Sequence, residues 1–465
     1  MGTPVRRALW PLLAALTLLA ACGRPSHPPN VIVLVLDTMR ADRLAAWGAK
    51  RTVAPFVDSL AARGTAFRHA YAQTSWTSGS VASIITSRYL LQHGVTGFNK
   101  KLADDESTLA EVLQLAGYRT CGLSANALVT RSLGFAQGYD HYQAFPLAKN
   151  EKPKYLWFPA RADTVNAKAL EWIDQQPKGV PLFLYLQYME PHTPYDPPAE
   201  ALARLRGNRE TPSADDVNAA AWVGDLFPPS PEMMEAIQDY YDASIMAMDA
   251  QIAALFEQLG KRGLLENALI VVTADHGEEF REHGIMGHGK SLYDTVVRVP
   301  LVIVPPGSTT PIARDEVVQL VDVAPTILDW SGIERPPSYE GHSLRPWTVS
   351  GWRAWFAGKP PPARAALSEL ERLIRSDVAT KHHRALLDPE RRKIIRPFDD
   401  SPLWFDQRAD PGETDPDALT PAERETLSGG LDALIATLQP RAGSAQTMEL
   451  DAETRERLKA LGYAH

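Results

Sequence analysis

Residues 269–290 read LIVVTADHGEEFREHGIMGHGK, and this stretch decides how the rest of the chain is read. Residues 269–272 are a short apolar run of the kind that fills a buried parallel strand. Asp275 and His276 follow it, then Gly277, then an acidic loop carrying His283, His288 and Lys290. In an open parallel sheet, ligands bind beyond the carboxyl ends of the strands. A carboxylate and an imidazole set side by side there suit a hard or borderline divalent cation. Taken alone, the segment reads equally well as an exposed Asp-His turn. Other segments supply what it lacks.

Residues 31–36, VIVLVL, are the strongest buried-strand signal in the chain, and Asp37 follows directly. Residues 181–188, PLFLYLQY, run into Glu190-Pro191-His192, and residues 301–304 form a further apolar run. Helical patterns lie over 52–64, over 107–115 with Ser107 as its cap, and over 232–259. In the last, Ile237, Tyr241, Ile245, Met248, Ile252 and Leu255 form a core-facing stripe, which leaves Asp242 and Asp249 as solvated or capping carboxylates. Strands alternating with helices predict an α/β fold, a sheet covered on both faces. In TSWTSGSVASIITSR, residues 74–88, a small-residue helix over 80–85 puts Thr77 at its start. Unpaired N–H groups there would face an anion held against the Thr77 hydroxyl, although a plain threonine N-cap reads the same way.

The chain has 465 residues, enough for one large domain and a smaller one. Its formal charge of −8 has no basic stripe, which argues against nucleic acid as a partner. Arg6 and Arg7, an uncharged run over 8–21 and the sequence LAAC ending at Cys22 make a secretory leader with a cleavage point. LAAC resembles the bacterial lipoprotein box, which implies lipidation of Cys22 and a lipid-anchored protein in the bacterial cell envelope. The expected organisation is a leader over 1–22, a Pro-rich tether over 23–29, a catalytic domain over 30–346 and a C-terminal α+β subdomain over 347–465. In that subdomain, short strands over 366–374, 384–387 and 393–395 precede helices over 419–438 and 452–461. With Cys121 the one other cysteine, no intrachain disulfide framework is expected.

Several motifs now fall in one order: NVIVLVLDTMRAD from Asn30, ASIIT from Ala82, GYRT from Gly117, PHTPY from Pro191, ADHGE from Ala274, DVAPTIL from Asp322 and DPGE from Asp410. In these pieces the chain resembles the sulfatase family of the alkaline phosphatase superfamily, over about residues 30 to 415. The resemblance implies a mostly parallel sheet sandwiched by helices and one divalent metal ion (calcium, manganese, zinc or magnesium) at its carboxyl edge. Asp37, Asp275 and His276 match family ligand positions. Setting ASIIT on the second half of the family signature puts Thr77 at the nucleophile position, where the side chain also meets the metal. His192 matches a substrate-binding histidine. His288 falls near a Lys or His that contacts the transferred group or leaving oxygen, with Lys290 as the other candidate.

The departures matter as much. The family signature begins Cys-x-Pro-Ser-Arg, whereas this chain has Thr77-Ser78-Gly79-Ser80-Val81. A threonine cannot become the formylglycine of standard sulfatases, and Val81 removes an arginine. Thr38 stands where many members have a second aspartate, which favours a four-ligand site. Gly122-Leu123-Ser124 replaces the usual Gly-Lys-Trp, and Asn126 is the candidate to stand in for the lost basic contact. Formylglycine sheds sulfate from a hemiacetal, a route closed to threonine. The expected activity is therefore hydrolysis of anionic sulfate, phosphate or phosphonate esters. The alternatives are transfer of a phosphoryl-type group to an envelope lipid or glycan, and a degenerate member that only binds anions.

Overall fold

In a computed structural model of the chain, residues 28–145, 160–373, 380–397, 401–438 and 445–449 are described. The leader, Cys22, residues 23–27 of the tether and the helix expected over 452–461 lie outside them. β1 (Asn30–Leu36), β2 (Thr65–Tyr71), β3 (Arg119–Ser124), β4 (His141–Ala144), β5 (Leu182–Tyr188), β6 (Ala268–Thr273), β7 (Arg298–Val299), β8 (Leu301–Val304) and β9 (Ile312–Gln319) build one sheet. From one edge its order is β9, β2, the β7–β8 run, β6, β1, β5, β3 and β4. The β7–β8 run is antiparallel to its neighbours, and the other pairings are parallel. β1 lies between β6 and β5 with residues 31–36 buried, so both its faces need apolar side chains.

Strands β2 and β9 are not legible as apolar runs. Arg68 and His69 interrupt the first and Arg314-Asp315-Glu316 the second, and across the pair Arg68 donates to Asp315 at 2.7 Å. The helix expected over 52–64 is shorter, α1 (Pro55–Ala61), because Pro55 can start a helix but not continue one. Its first free N–H groups, at Phe56 and Val57, donate to Asp249, both at 2.9 Å. Asp249 is thus a capping carboxylate, working across elements. Asp242 is buried and paired with Arg43 at 2.8 Å, a structural ion pair and not a solvated group. The helix expected from Ser107 is capped by Thr108, whose hydroxyl and Glu111 close a capping box.

α2 (Thr77–Thr86) is buried along its whole length. α3 (Pro231–Lys261) runs two residues past the expected stop at 259, through Gly260. Among the described C-terminal residues, β10 (Ala366–Leu373), β11 (Thr380–Leu387), β12 (Arg392–Arg396) and β13 (Leu403–Asp406) form an antiparallel sheet. α4 (Pro421–Thr437) backs it, with Leu427 and Leu431 in one cluster with Leu386 and Ile394. Among the described residues, no helix is long and apolar enough to cross a membrane.

Candidate active site

Four adjacent parallel strands, β6, β1, β5 and β3, end on the same edge and deliver the polar residues of the site. Asp37 is the first residue after β1, and Asp275 and His276 stand just past the end of β6. All three are fully buried, and their ligand atoms lie within 4.8 Å of one another. Each carboxylate is held by one oxygen. Asp37 Oδ2 accepts from Asn126 Nδ2 at 2.7 Å and from Gln187 Nε2 at 3.1 Å. Asp275 Oδ1 accepts from the backbone N–H groups of His276 at 3.0 Å and Thr38 at 3.3 Å. Among the described residues, Asp37 Oδ1 and Asp275 Oδ2 have no hydrogen-bond partner. Two orphaned carboxylate oxygens beside an imidazole nitrogen are what a divalent cation needs, and buried polar atoms seldom stay unpaired without such a reason. Burial, and then the charge of Asp275, push Asp37 well above its ordinary carboxylate value. A cation between the two would remove that penalty, so the residues present fit one.

Thr77 opens α2, and its Oγ1 lies 3.1 Å from His276 Nε2. His276 Nδ1 faces the Gly277 carbonyl at 3.0 Å, which can only accept, so Nδ1 carries the proton and Nε2 offers its lone pair to the site. Gly277 has a steric reason. A Cβ there would stand 2.1 Å from the carbonyl oxygen of Thr295, across a turn closed by the Gly277 N–H to Val296 at 2.8 Å. Ser80, the nearest rival hydroxyl, donates to the Asp275 carbonyl at 2.6 Å and so holds the ligand's backbone.

His288 packs against this cluster, tilted over His276 at 4.4 Å and edge-on to His192 at 4.8 Å between ring centroids. Its Nδ1 is 3.2 Å from Glu278 Oε1. Burial raises Glu278 to about 7 and holds His288 well below its ordinary value, so the pair favours one shared proton and no net charge. Burial, and then His288, bring His192 down to about 3. The Lys290 ammonium goes to Asp225 and to the Met286 carbonyl at 2.8 Å.

The structure therefore brings Asp37, Thr77, His192, Asp275, His276 and His288 together. It sets Asn126 on Asp37 and Lys290 on Asp225 at the rim. Gln187 and Glu278 complete the site and were not singled out in the sequence. A glutamine inside an otherwise apolar strand, one residue from the strand's end, is the signal that could have found Gln187.

A family model described as Sulfatase matches residues 29–333. Among curated proteins, the chain is 23% identical to an N-acetylglucosamine-6-O-sulfatase of Bacteroides thetaiotaomicron, over 86% of this chain and 85% of that one. It is 26% identical to an arylsulfatase of Clostridium perfringens, over 71% and 81%. Among solved structures, an enzyme in complex with D-glucosamine-2-N,6-O-disulfate superposes with a TM-score of 0.73 at 21% identity, covering 88% of this chain and 98% of that one. The phosphonate monoester hydrolase of Agrobacterium radiobacter superposes at 0.72 and 20%, covering 91% and 98%. The matched region contains all four strands that deliver the site and the helix that begins at Thr77, and by this match the chain belongs to the sulfatase family of the alkaline phosphatase superfamily.

Proposed function

We propose that the chain is a metal-dependent hydrolase of phosphate or phosphonate esters, with Thr77 as its nucleophile. The observation that carries this reading is the Thr77 hydroxyl, 3.1 Å from His276 Nε2 in a cluster with two orphaned carboxylate oxygens. Asp37 Oδ1, Asp275 Oδ2 and His276 Nε2 would hold the cation, and one imidazole among oxygens favours zinc or manganese over calcium. When bound, such a cation lowers the pKa of an adjacent hydroxyl and offsets charge on the transferred oxygens.

The residues then divide the work. Thr77 Oγ, its proton released to solvent, attacks phosphorus in line, and the bond from phosphorus to the leaving oxygen breaks. The leaving oxygen takes the proton held by the His288–Glu278 pair. The free N–H groups at the start of α2 face the transferred oxygens. His192, kept neutral by burial, contacts the substrate as a hydrogen-bonding group and not as a charge. A water molecule next attacks phosphorus and gives its proton to the His288–Glu278 pair. The Thr77 ester opens, Thr77 Oγ takes back a proton from solvent, and with the shared proton already restored the cycle closes.

Sulfate esters are the second reading, favoured by the names of the sulfatase relatives. Thr77 disfavours them because a sulfo-threonine lacks the hemiacetal escape. Turnover of matched phosphate, phosphonate and sulfate esters with several divalent metals tests the choice. Faster hydrolysis of the phosphorus esters is expected, and hydrolysis of sulfate esters alone would overturn it. The leader and LAAC support a lipid anchor at Cys22 on the outer side of a bacterial membrane. Mass analysis of the mature N-terminus should find a diacylglyceryl group there, and an unmodified chain would contradict it.

A further inference from the structure

The rim of the site carries a patch that the reaction above does not use. Trp222, Leu226 and Phe227 are 53%, 79% and 70% exposed, next to one another at the end of the helix Ala214–Val223. They are not a loose loop. Asp225, between them, accepts from the Met286 N–H at 2.6 Å and pairs with Lys290. The Gly224 carbonyl accepts from Arg281, and a Cβ on Gly224 would stand 2.5 Å from Met286 Cγ. The segment is therefore clamped to residues 281–290 on both sides of His288, whose ring packs at a tilt against His276 with centroids 4.4 Å apart. The clamp thus sets the patch on the surface beside the segment that carries His288.

We propose that Trp222, Leu226 and Phe227 form the subsite for an apolar, alkyl or aryl leaving group, so that the physiological ester is amphipathic and not a sugar. The inference rests on the hydrolase reading above. A sugar subsite pairs an aromatic platform with side chains that hydrogen-bond hydroxyl groups. Apart from the indole N–H of Trp222, the polar groups of this segment are already engaged. The Asp225 carboxylate is committed to Met286 and Lys290, and the N–H groups of Leu226 and Phe227 both donate to the Val223 carbonyl at 2.9 Å. Pro228 and Pro229 follow and have no N–H. What remains is apolar surface beside a charged site, which matches a molecule with an anionic end and an apolar one.

Methyl and octyl esters of the same phosphate or phosphonate test this, because their leaving oxygens are chemically alike and differ in apolar length. In the variant Trp222→Ala/Leu226→Ser/Phe227→Ser, KM for the octyl ester should rise roughly tenfold or more, and KM for the methyl ester should hold. Phe227→Ser alone should move it part of the way. Leu115→Ser, at a residue exposed near the opposite, amino-terminal edge of the sheet, should do nothing. Binding of anilinonaphthalene sulfonate, an anion with apolar rings, should weaken in the triple variant and be displaced by the octyl ester. An unchanged ratio of octyl to methyl KM overturns the inference. So does a variant that keeps the ratio but loses binding to phospholipid vesicles, since the patch would then face a bilayer. If the unaltered enzyme turns over neither ester, the hydrolase reading fails, and the sulfonate titration decides the subsite by itself: equal binding to both proteins rejects it.

Discussion

Asp37 and Asp275 carry opposite signs of stability with and without a cation. In chelator-treated protein their facing carboxylates repel, and burial adds to the penalty on Asp37. Asp37→Asn should then raise the melting temperature of the chelated protein. With metal restored the order should reverse, because the unaltered protein binds and is stabilised by mass action while the variant is not. Melting both proteins with and without added metal checks the crossing. Gln187 and Asn126 are expected to act one step out, by fixing which Asp37 oxygen stays open. Gln187→Leu should weaken metal affinity about 10- to 100-fold, read by competition with a chelating dye, with secondary structure unchanged. Asp37, Asp275 and His276 were legible because each follows an apolar run that ends at the ligand edge. Gln187 and Glu278 were not, since their value lies in which atoms they face across strands and loops, and no spacing in one chain encodes that.

At the scale of elements, α2 depends on a buried histidine. His93 Nδ1 accepts the Val95 N–H at 3.0 Å, so its Nε2 carries the proton and donates to Ser83 on α2 at 3.0 Å. Burial, and then Arg88, bring His93 from 6.5 to about 3. In the unfolded chain it binds a proton near 6.5, and in the fold it refuses one until about 3. Its contribution is therefore intact above pH 6.5 and is lost as the pH falls toward 3, at most about 1.4 kcal/mol per pH unit. Denaturant midpoints of His93→Gln should show a shallower fall between pH 6.5 and 4.5 than the unaltered protein, and an equally steep fall would contradict this. Element types were mostly readable, and the misses have physical causes. β2 and β9 hide because salt-bridged polar residues on their paired faces break the apolar pattern. The start of α1 shifts because its cap is a carboxylate nearly two hundred residues away, on α3.

For the whole molecule, the C-terminal sheet meets the site-bearing half through hydrogen bonds such as Glu369 N–H to the Gln73 carbonyl at 2.7 Å and Ser368 Oγ to the Ala72 carbonyl at 2.6 Å, and through a buried lysine. Lys393 on β12 pairs with Asp294 at 2.9 Å and with Glu413 at 2.7 Å, and its side chain is 1% exposed. Glu413, from the DPGE turn, also caps the Asp294 N–H at 2.6 Å. Asp294 starts the short helix Asp294–Val297, against which the Asp275-His276-Gly277 turn is closed. Lys393→Met should cost about 3–5 kcal/mol in chemical denaturation, because it leaves Glu413 buried without its cation and Asp294 with Arg298 alone, 3.3 Å away. Metal affinity should fall with it if the two sheets act as one support. The central claim remains the covalent role of Thr77. The most direct measurement is peptide mass spectrometry of enzyme quenched by acid during turnover of a phosphate or phosphonate ester. The account predicts a phosphorus-bearing adduct on Thr77, absent from Thr77→Ala, whose turnover falls by roughly 10³-fold or more while bound metal is retained. Steady turnover with no adduct on Thr77, together with full activity in Thr77→Ala, would contradict it.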